Sequence, residues 1–200
     1  WSSDVCSSDL VHGKASHAGF APQDGVHAIR IAAAAIAEMA IGRIGDDTTV
    51  NVGQIEGGRA SNIVPDYCEV SGELRSFSHE KALEELAKVE QIFAKEAEKR
   101  GGSIEFIRDI CYQAYKTDEK ESVVKEFQKA CTACGIKSSL IATFGGSDQN
   151  KMSEHGIPGI VMASAMHQVH SCQEYTEVSE MAQVAGIVSE QIGRASCRER

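Results

Sequence analysis

The residues best suited to chemistry lie between Ile141 and Glu174. They comprise a glycine turn, Gly145-Gly146-Ser147-Asp148, and a later pair of histidines, His167 and His170, with Glu174 four residues beyond the second. Short apolar runs precede both: 138–143 reads as a buried-type strand before the turn, and 157–166 as a second strand ending at the histidines. In open α/β sheets the carboxyl ends of neighbouring strands are where ligands bind. Neutral imidazole with a nearby carboxylate is also a common zinc donor set. Taken alone, the two histidines read as surface loop residues as well.

The other group with chemical potential is Cys131-Thr-Ala-Cys134. It closes a predicted helix instead of opening one, and no second pair completes a four-cysteine zinc site, so it reads as core packing. Of seven cysteines, five remain once Cys6 and Cys197 are set aside with the chain ends. An odd number without framework spacing points to reduced thiols and a cytoplasmic setting.

Those ends need separate treatment. Residues 1–10 (Trp-Ser-Ser-Asp-Val-Cys-Ser-Ser-Asp-Leu) and 192–200 resemble sequencing-adapter DNA translated in frame, and both are excluded from the fold reading as non-native. The remainder, Val11 to Gln191, then reads as a window from a longer gene. Removing the ends takes away three basic and three acidic residues, so the net charge stays at −9. Such a surface argues against sequence-independent binding to nucleic acid or anionic membranes, which relies on clustered Lys and Arg. The longest apolar helix, about Val26 to Ile41, contains Arg30 and Glu38 and falls short of the roughly 18 residues of a membrane span.

The elements that position these residues follow in order. Leu10 to Ala15 reads as a strand and Ser16 to Gly25 as a polar turn region, followed by an alanine-rich helix that Gly42 ends. Thr48 to Ile55 and Tyr67 to Phe77 alternate as an antiparallel pair of strands. Ser78 caps a helix that runs to Arg100 and stops at Gly101-Gly102, and Ile104 to Tyr112 supplies a fourth strand. Strand, helix, strand, strand, helix, strand is the ferredoxin-like βαββαβ unit, here 11–115. After a polar connector, Asp118 with Glu121 predicts a helix start, and that helix runs to Cys134. The helix, the two apolar runs and a last helix from Val178 to Gln191 read as an incomplete α/β domain, 116–191.

An ordered set of motifs runs through both parts: Ser16-His17-Ala18-Gly19 with Pro22 and Gly25, Ser61-Asn62-Ile63-Val64-Pro65-Asp66, Arg75, Gly145 to Asp148, and His170 with Glu174. This set resembles the cocatalytic dizinc peptidase family that holds peptidase T, carboxypeptidase G, aminoacylase and succinyl-diaminopimelate desuccinylase. Within it the chain is most similar to tripeptide aminopeptidases like peptidase T. The resemblance implies a ferredoxin-like dimerisation domain inserted in a zinc-binding α/β domain, a homodimer, a small peptide substrate, and two zinc ions or other divalent metals per site. It implies that His170 is a metal ligand and that His17 reaches the partner's active site. Arg75 would hold the substrate carboxylate, and Gly146, Ser147, Asp148 and Asn62 would line the substrate cleft; His167 receives no part. The family's other metal ligands and its general-base glutamate have no counterpart here and would precede Val11. The piece is therefore expected to be inactive alone. Competing readings are an amidohydrolase of the same family, a non-catalytic ferredoxin-like dimerisation or small-ligand module, and, more distantly, a thiol redox protein.

Overall fold

The computed structural model describes residues 1–198 and divides into two compact units. One comprises Trp1–Tyr115 with Thr143–Gly146, and the other Lys116–Ala142 with Ser147 onward. The last two residues of the adapter-like stretch 192–200 lie outside the described residues, and the rest of that stretch continues the final helix as far as Arg198.

The first unit is built on β1 (Ser3–His12), α1 (Ala28–Glu38), β2 (Gly42–Ile44), β3 (Thr48–Gly57), β4 (Tyr67–Ser76), α2 (His79–Arg100) and β5 (Ser103–Tyr112). Its antiparallel sheet has the order β2-β3-β4-β1-β5. With the short β2 set aside, this is the ferredoxin-like arrangement. Both helices share one core with the sheet: Ile31, Ala32 and Ala35 of α1 and Phe93 and Ala97 of α2 close over Val11, Cys68 and Val70. Local signals explain the helices. The His27 ring accepts from the Arg30 N–H at the start of α1, and the Ser78 hydroxyl accepts from Lys81 N–H at the start of α2. Gly101 ends α2 at φ 76°, a left-handed conformation that costs glycine little and other residues more.

The largest correction concerns residues 1–10. Far from lying outside the fold, Ser3 to Leu10 form most of the central strand, paired with β4 from Ser3↔Ser76 to His12↔Tyr67 and with β5 on the other side. Polar side chains are buried as a result: Asp4 is 7% and Asp9 3% exposed. Local composition argues against a strand here, but two neighbours with open hydrogen-bonding edges override it.

The second unit contains α3 (Ser122–Ala133), α4 (Asp148–Glu154), β6 (Met166–His167), β7 (Tyr175–Thr176) and α5 (Val178–Arg198). Ala130, Cys131 and Ile187 form its small core, with Phe127, Ile136 and Met162 against them. Helix α3 begins four residues after Asp118. The Asp118–Glu121 pair instead closes a turn, in which Asp118 accepts from Lys120 N–H at 2.7 Å and Glu121 N–H donates to Asp118 O at 3.0 Å. Neither predicted strand forms as read. Residues 138–143 are irregular, and of the second run only Met166 joins a two-residue strand. Apolar runs become strands only when another strand supplies their hydrogen bonds, and among the described residues none does.

Candidate functional site

At the end of the first unit where β4 begins, two loops are sewn together. His17 pairs with Ile63 as an isolated bridge, Ala18 N–H donates to Asn62 O at 2.9 Å, and Val64 N–H donates to Ser16 O at 2.9 Å. His17 and Asn62 are therefore neighbours, both exposed, despite 44 intervening positions. The His17 Nδ1 accepts from the backbone N–H groups of Gly19 at 3.1 Å and Phe20 at 3.2 Å. With that lone pair taken, the neutral ring carries its proton on Nε2. The ring also lies 4.3 Å from that of Phe20, which is 86% exposed. This is an oriented imidazole donor on the surface.

Arg75 stands at the other end of β4. It lies eight residue steps from Tyr67, roughly 26 Å at the usual strand rise. Its Nη1 donates to Phe144 O at 2.8 Å, and its Nη2 donates to Glu73 Oε2 at 2.9 Å and lies 3.3 Å from Asp4 Oδ2. Burial pushes the Asp4 carboxyl up, Arg75 pulls it back and Glu73 pushes it further. The segment 143–146 packs with this sheet. Phe144 stacks on Phe77 at 4.2 Å and 29°, and the Arg43 guanidinium sits 4.8 Å from the Phe144 ring centre. At Gly146 a Cβ would come within 2.7 Å of the Tyr112 ring, so the close approach itself requires glycine. Ser147 and Asp148 then open α4, where Asn150 Oδ1 accepts from Ser147 N–H at 3.1 Å and the Asp148 carboxylate complements the helix N-terminus. Both therefore have structural work within their own unit.

In the second unit, His170 sits on the turn of the β6–β7 hairpin at φ 64°, with its N–H donating to Glu174 Oε2 at 2.8 Å. Glu174 thus spends its carboxylate on the backbone of the turn. His167 Nε2 lies 2.6 Å from Glu180 Oε2, and its ring stacks on Tyr175 at 4.8 Å. The exposed His170 ring suits a single imidazole contribution to zinc. Among the described residues, however, no three or more His, Cys, Asp or Glu side chains gather closely enough to hold a metal ion. The described residues do not by themselves assemble a metal centre. In the C-x-x-C pair Cys131 is buried, and burial pushes its thiol up.

The structure thus brings together His17 with Asn62, and Arg75 with the glycine turn at Gly146, while Ser147, Asp148 and His170 belong to the second unit. Sequence reading missed Phe144, Phe77 and Arg43; an aromatic residue directly before a double glycine is the only local signal that marks the first of them.

A family model for the peptidase dimerisation domain matches residues 5–101. That match reaches into the segment set aside as adapter-like. Aminopeptidase PepT of Bacillus cereus is 36% identical with a TM-score of 0.82, covering 96% of this chain and 51% of that one. A tripeptidase of Staphylococcus aureus is 31% identical with a TM-score of 0.87, again covering 96% and 51%. YqjE of Bacillus subtilis, an uncharacterised protein, is 36% identical over 178 residues, 89% of this chain and 48% of that protein. The chain spans about half the length of these relatives. YxeP of Bacillus subtilis, described as a dinuclear metal-binding peptidase of the M20 family, shares the fold at 16% identity and a TM-score of 0.68. The sheet order, the matched domain and these relatives lead to one conclusion: residues 5–101 carry the dimerisation domain of the M20 peptidases, and the fold is the one seen in that family.

Proposed function

We propose that this chain is part of a metal-dependent exopeptidase, a cytoplasmic tripeptide aminopeptidase that works as a homodimer through the ferredoxin-like domain. The observation that carries the reading is the oriented Nε2–H of His17, at the opposite end of β4 from Arg75. An oriented donor suits the oxyanion that develops when a peptide carbonyl is attacked, and removing such a donor typically costs about 3 kcal/mol. A guanidinium fork suits the carboxylate of a short peptide. One sheet about 26 Å long does not place both groups on one small substrate, whereas a two-fold dimer can set His17 of one subunit beside Arg75 of the other. Two zinc or other divalent ions in the full-length enzyme would polarise the carbonyl and supply hydroxide, with His170 as one ligand. Gly146, Ser147, Asp148 and Asn62 are assigned to the cleft. The acidic surface disfavours sequence-independent contact with nucleic acid or anionic membranes, and no described helix is long and apolar enough to cross a membrane.

The test is complementation in the full-length protein. A mixed dimer pairs a His17→Ala subunit with a His170→Ala subunit, each homodimer being nearly inactive. Action across the interface puts both defects in one site and restores about half the activity per heterodimer. A mixture that stays inactive returns His17 to its own subunit. The chain 1–200 alone is expected to hydrolyse no tripeptide and to retain no pair of zinc ions after dialysis, as metal analysis will show.

A further inference from the structure

We propose that Phe144 is a positioning residue that pins the glycine turn beside Arg75. The inference rests on the reading above, in which Arg75 and the turn receive the substrate.

Four residues, Thr143–Gly146, belong to the sheet unit although the chain on both sides of them belongs to the other. The flanking chain offers them no regular structure: residues 136–147 form neither helix nor strand, and Ile141 is 79% exposed. Their place is set by contacts that converge on one residue. The Phe144 ring lies on Phe77, just past the end of β4, with the guanidinium of Arg43 from β2 at 4.8 Å. Its carbonyl accepts from Arg75 Nη1 at 2.8 Å and from the Ser2 hydroxyl at 3.0 Å. The Arg75 guanidinium is thereby tied through the Phe144 backbone to the turn, and the ring stops that backbone from drifting. Gly146 completes the fit by lying flat against Tyr112. An aromatic side chain is suited to this because ring stacking and cation–π contact both fix orientation, which an aliphatic residue of similar volume does not.

The experiment uses two readouts. Amide hydrogen exchange on the chain 1–200 follows residues 143–146 directly, and KM and kcat for a tripeptide are measured in the full-length protein. Phe144→Ala is expected to speed exchange at 144–146 by about tenfold while amides of α2 and β4 stay protected, and to raise KM about tenfold with kcat within about twofold. Phe144→Tyr restores both, whereas Phe144→Leu restores neither. Should Phe144→Ala fail to fold, Arg43→Met and Phe77→Leu carry the test, each expected to give about a threefold change in the same two readouts. Unchanged exchange at 144–146, or equal rescue by leucine and tyrosine, overturns the proposal. Exchange that quickens with no change in KM overturns the link to substrate. Arg75→Ala separates the two levels: if it leaves KM unaltered, the reading of this end as a substrate site falls, while exchange still judges the pin.

Discussion

Apolar residues of the same kind meet opposite fates in the two units. In the sheet unit Val11, Ile31, Val70 and Phe93 are buried to 2% exposure or less, whereas in the second unit Ile141 is 79% and Ile157 53% exposed. Immediate neighbours do not mark which residues stay wet, since the buried Ile31 and the exposed Ile141 are each followed by alanine in an apolar stretch. The difference lies in pairing. β1, β3, β4 and β5 satisfy one another's backbone groups and present a face for α1 and α2 to cover. The runs 138–143 and 157–165 have no strand beside them among the described residues, so their side chains gain no common face. Hydrophobic stabilisation follows the area removed from water, and a side chain that stays wet contributes little whatever its type.

Substitutions can sharpen this contrast, read through exchange protection of the β4 amides as a measure of the sheet unit's stability. The largest effect is expected from Phe93→Ala, which opens a cavity under both helices and costs about 3–5 kcal/mol. Next comes a stabilising change. Burial first, and then the charge of Glu90, push the Asp9 carboxyl up to about 7 from its ordinary 3.8, against the opposing pull of Arg108. A raised folded value means that the folded unit holds a proton the unfolded chain releases. That contribution is full below about 3.8 and is lost as pH rises through 7. The unit is therefore more stable at pH 5 than at pH 8, and Asp9→Asn should flatten the dependence and add on the order of 2 kcal/mol at pH 8. A pH-independent stability between 5 and 8 would return Asp9 to solvent. Ser78→Ala removes the cap of α2 and should cost about 1 kcal/mol. At the small end, Ile141→Ala, read instead through the α3 amides of its own unit, should change stability by no more than about 0.5 kcal/mol. A cost near that of Phe93→Ala would show that the exposed run is packed in solution and dissolve the comparison.

What the sequence discloses follows the same division. Elements with local signals are legible: α2 announces itself through Ser78 and Gly101, and β3 and β4 through alternation. β1 is legible only at its end, Leu10 to His12, because Ser-Ser-Asp-Val-Cys-Ser-Ser-Asp carries no strand signal and is drawn into place by β4 and β5. The second unit misleads in the opposite sense, since its apolar runs carry the local signal of strands without the partner strands that make one. At the site, the motifs are visible one by one but their grouping is not. Nothing local says that Asn62 lies against His17, or that Arg75 is already held by Asp4, Glu73 and the Phe144 carbonyl.

The central place of β1 also fixes the order in which the molecule can be assembled. Its partners are β4, some 60 residues downstream, and β5, about 100 downstream, so both of its edges wait on loops whose closure is entropically slow. On a ribosome, β3 and β4 can pair as soon as they emerge, yet the sheet has a gap where β1 belongs until it docks beside β4. It keeps an open edge on β1 until Tyr112 has been made. Such a half-built sheet exposes the unpaired strand edges that draw chains into aggregates. Refolding from urea should accordingly show early protection in α2 and the β3–β4 pair, with β1 and β5 acquiring theirs together in the last phase.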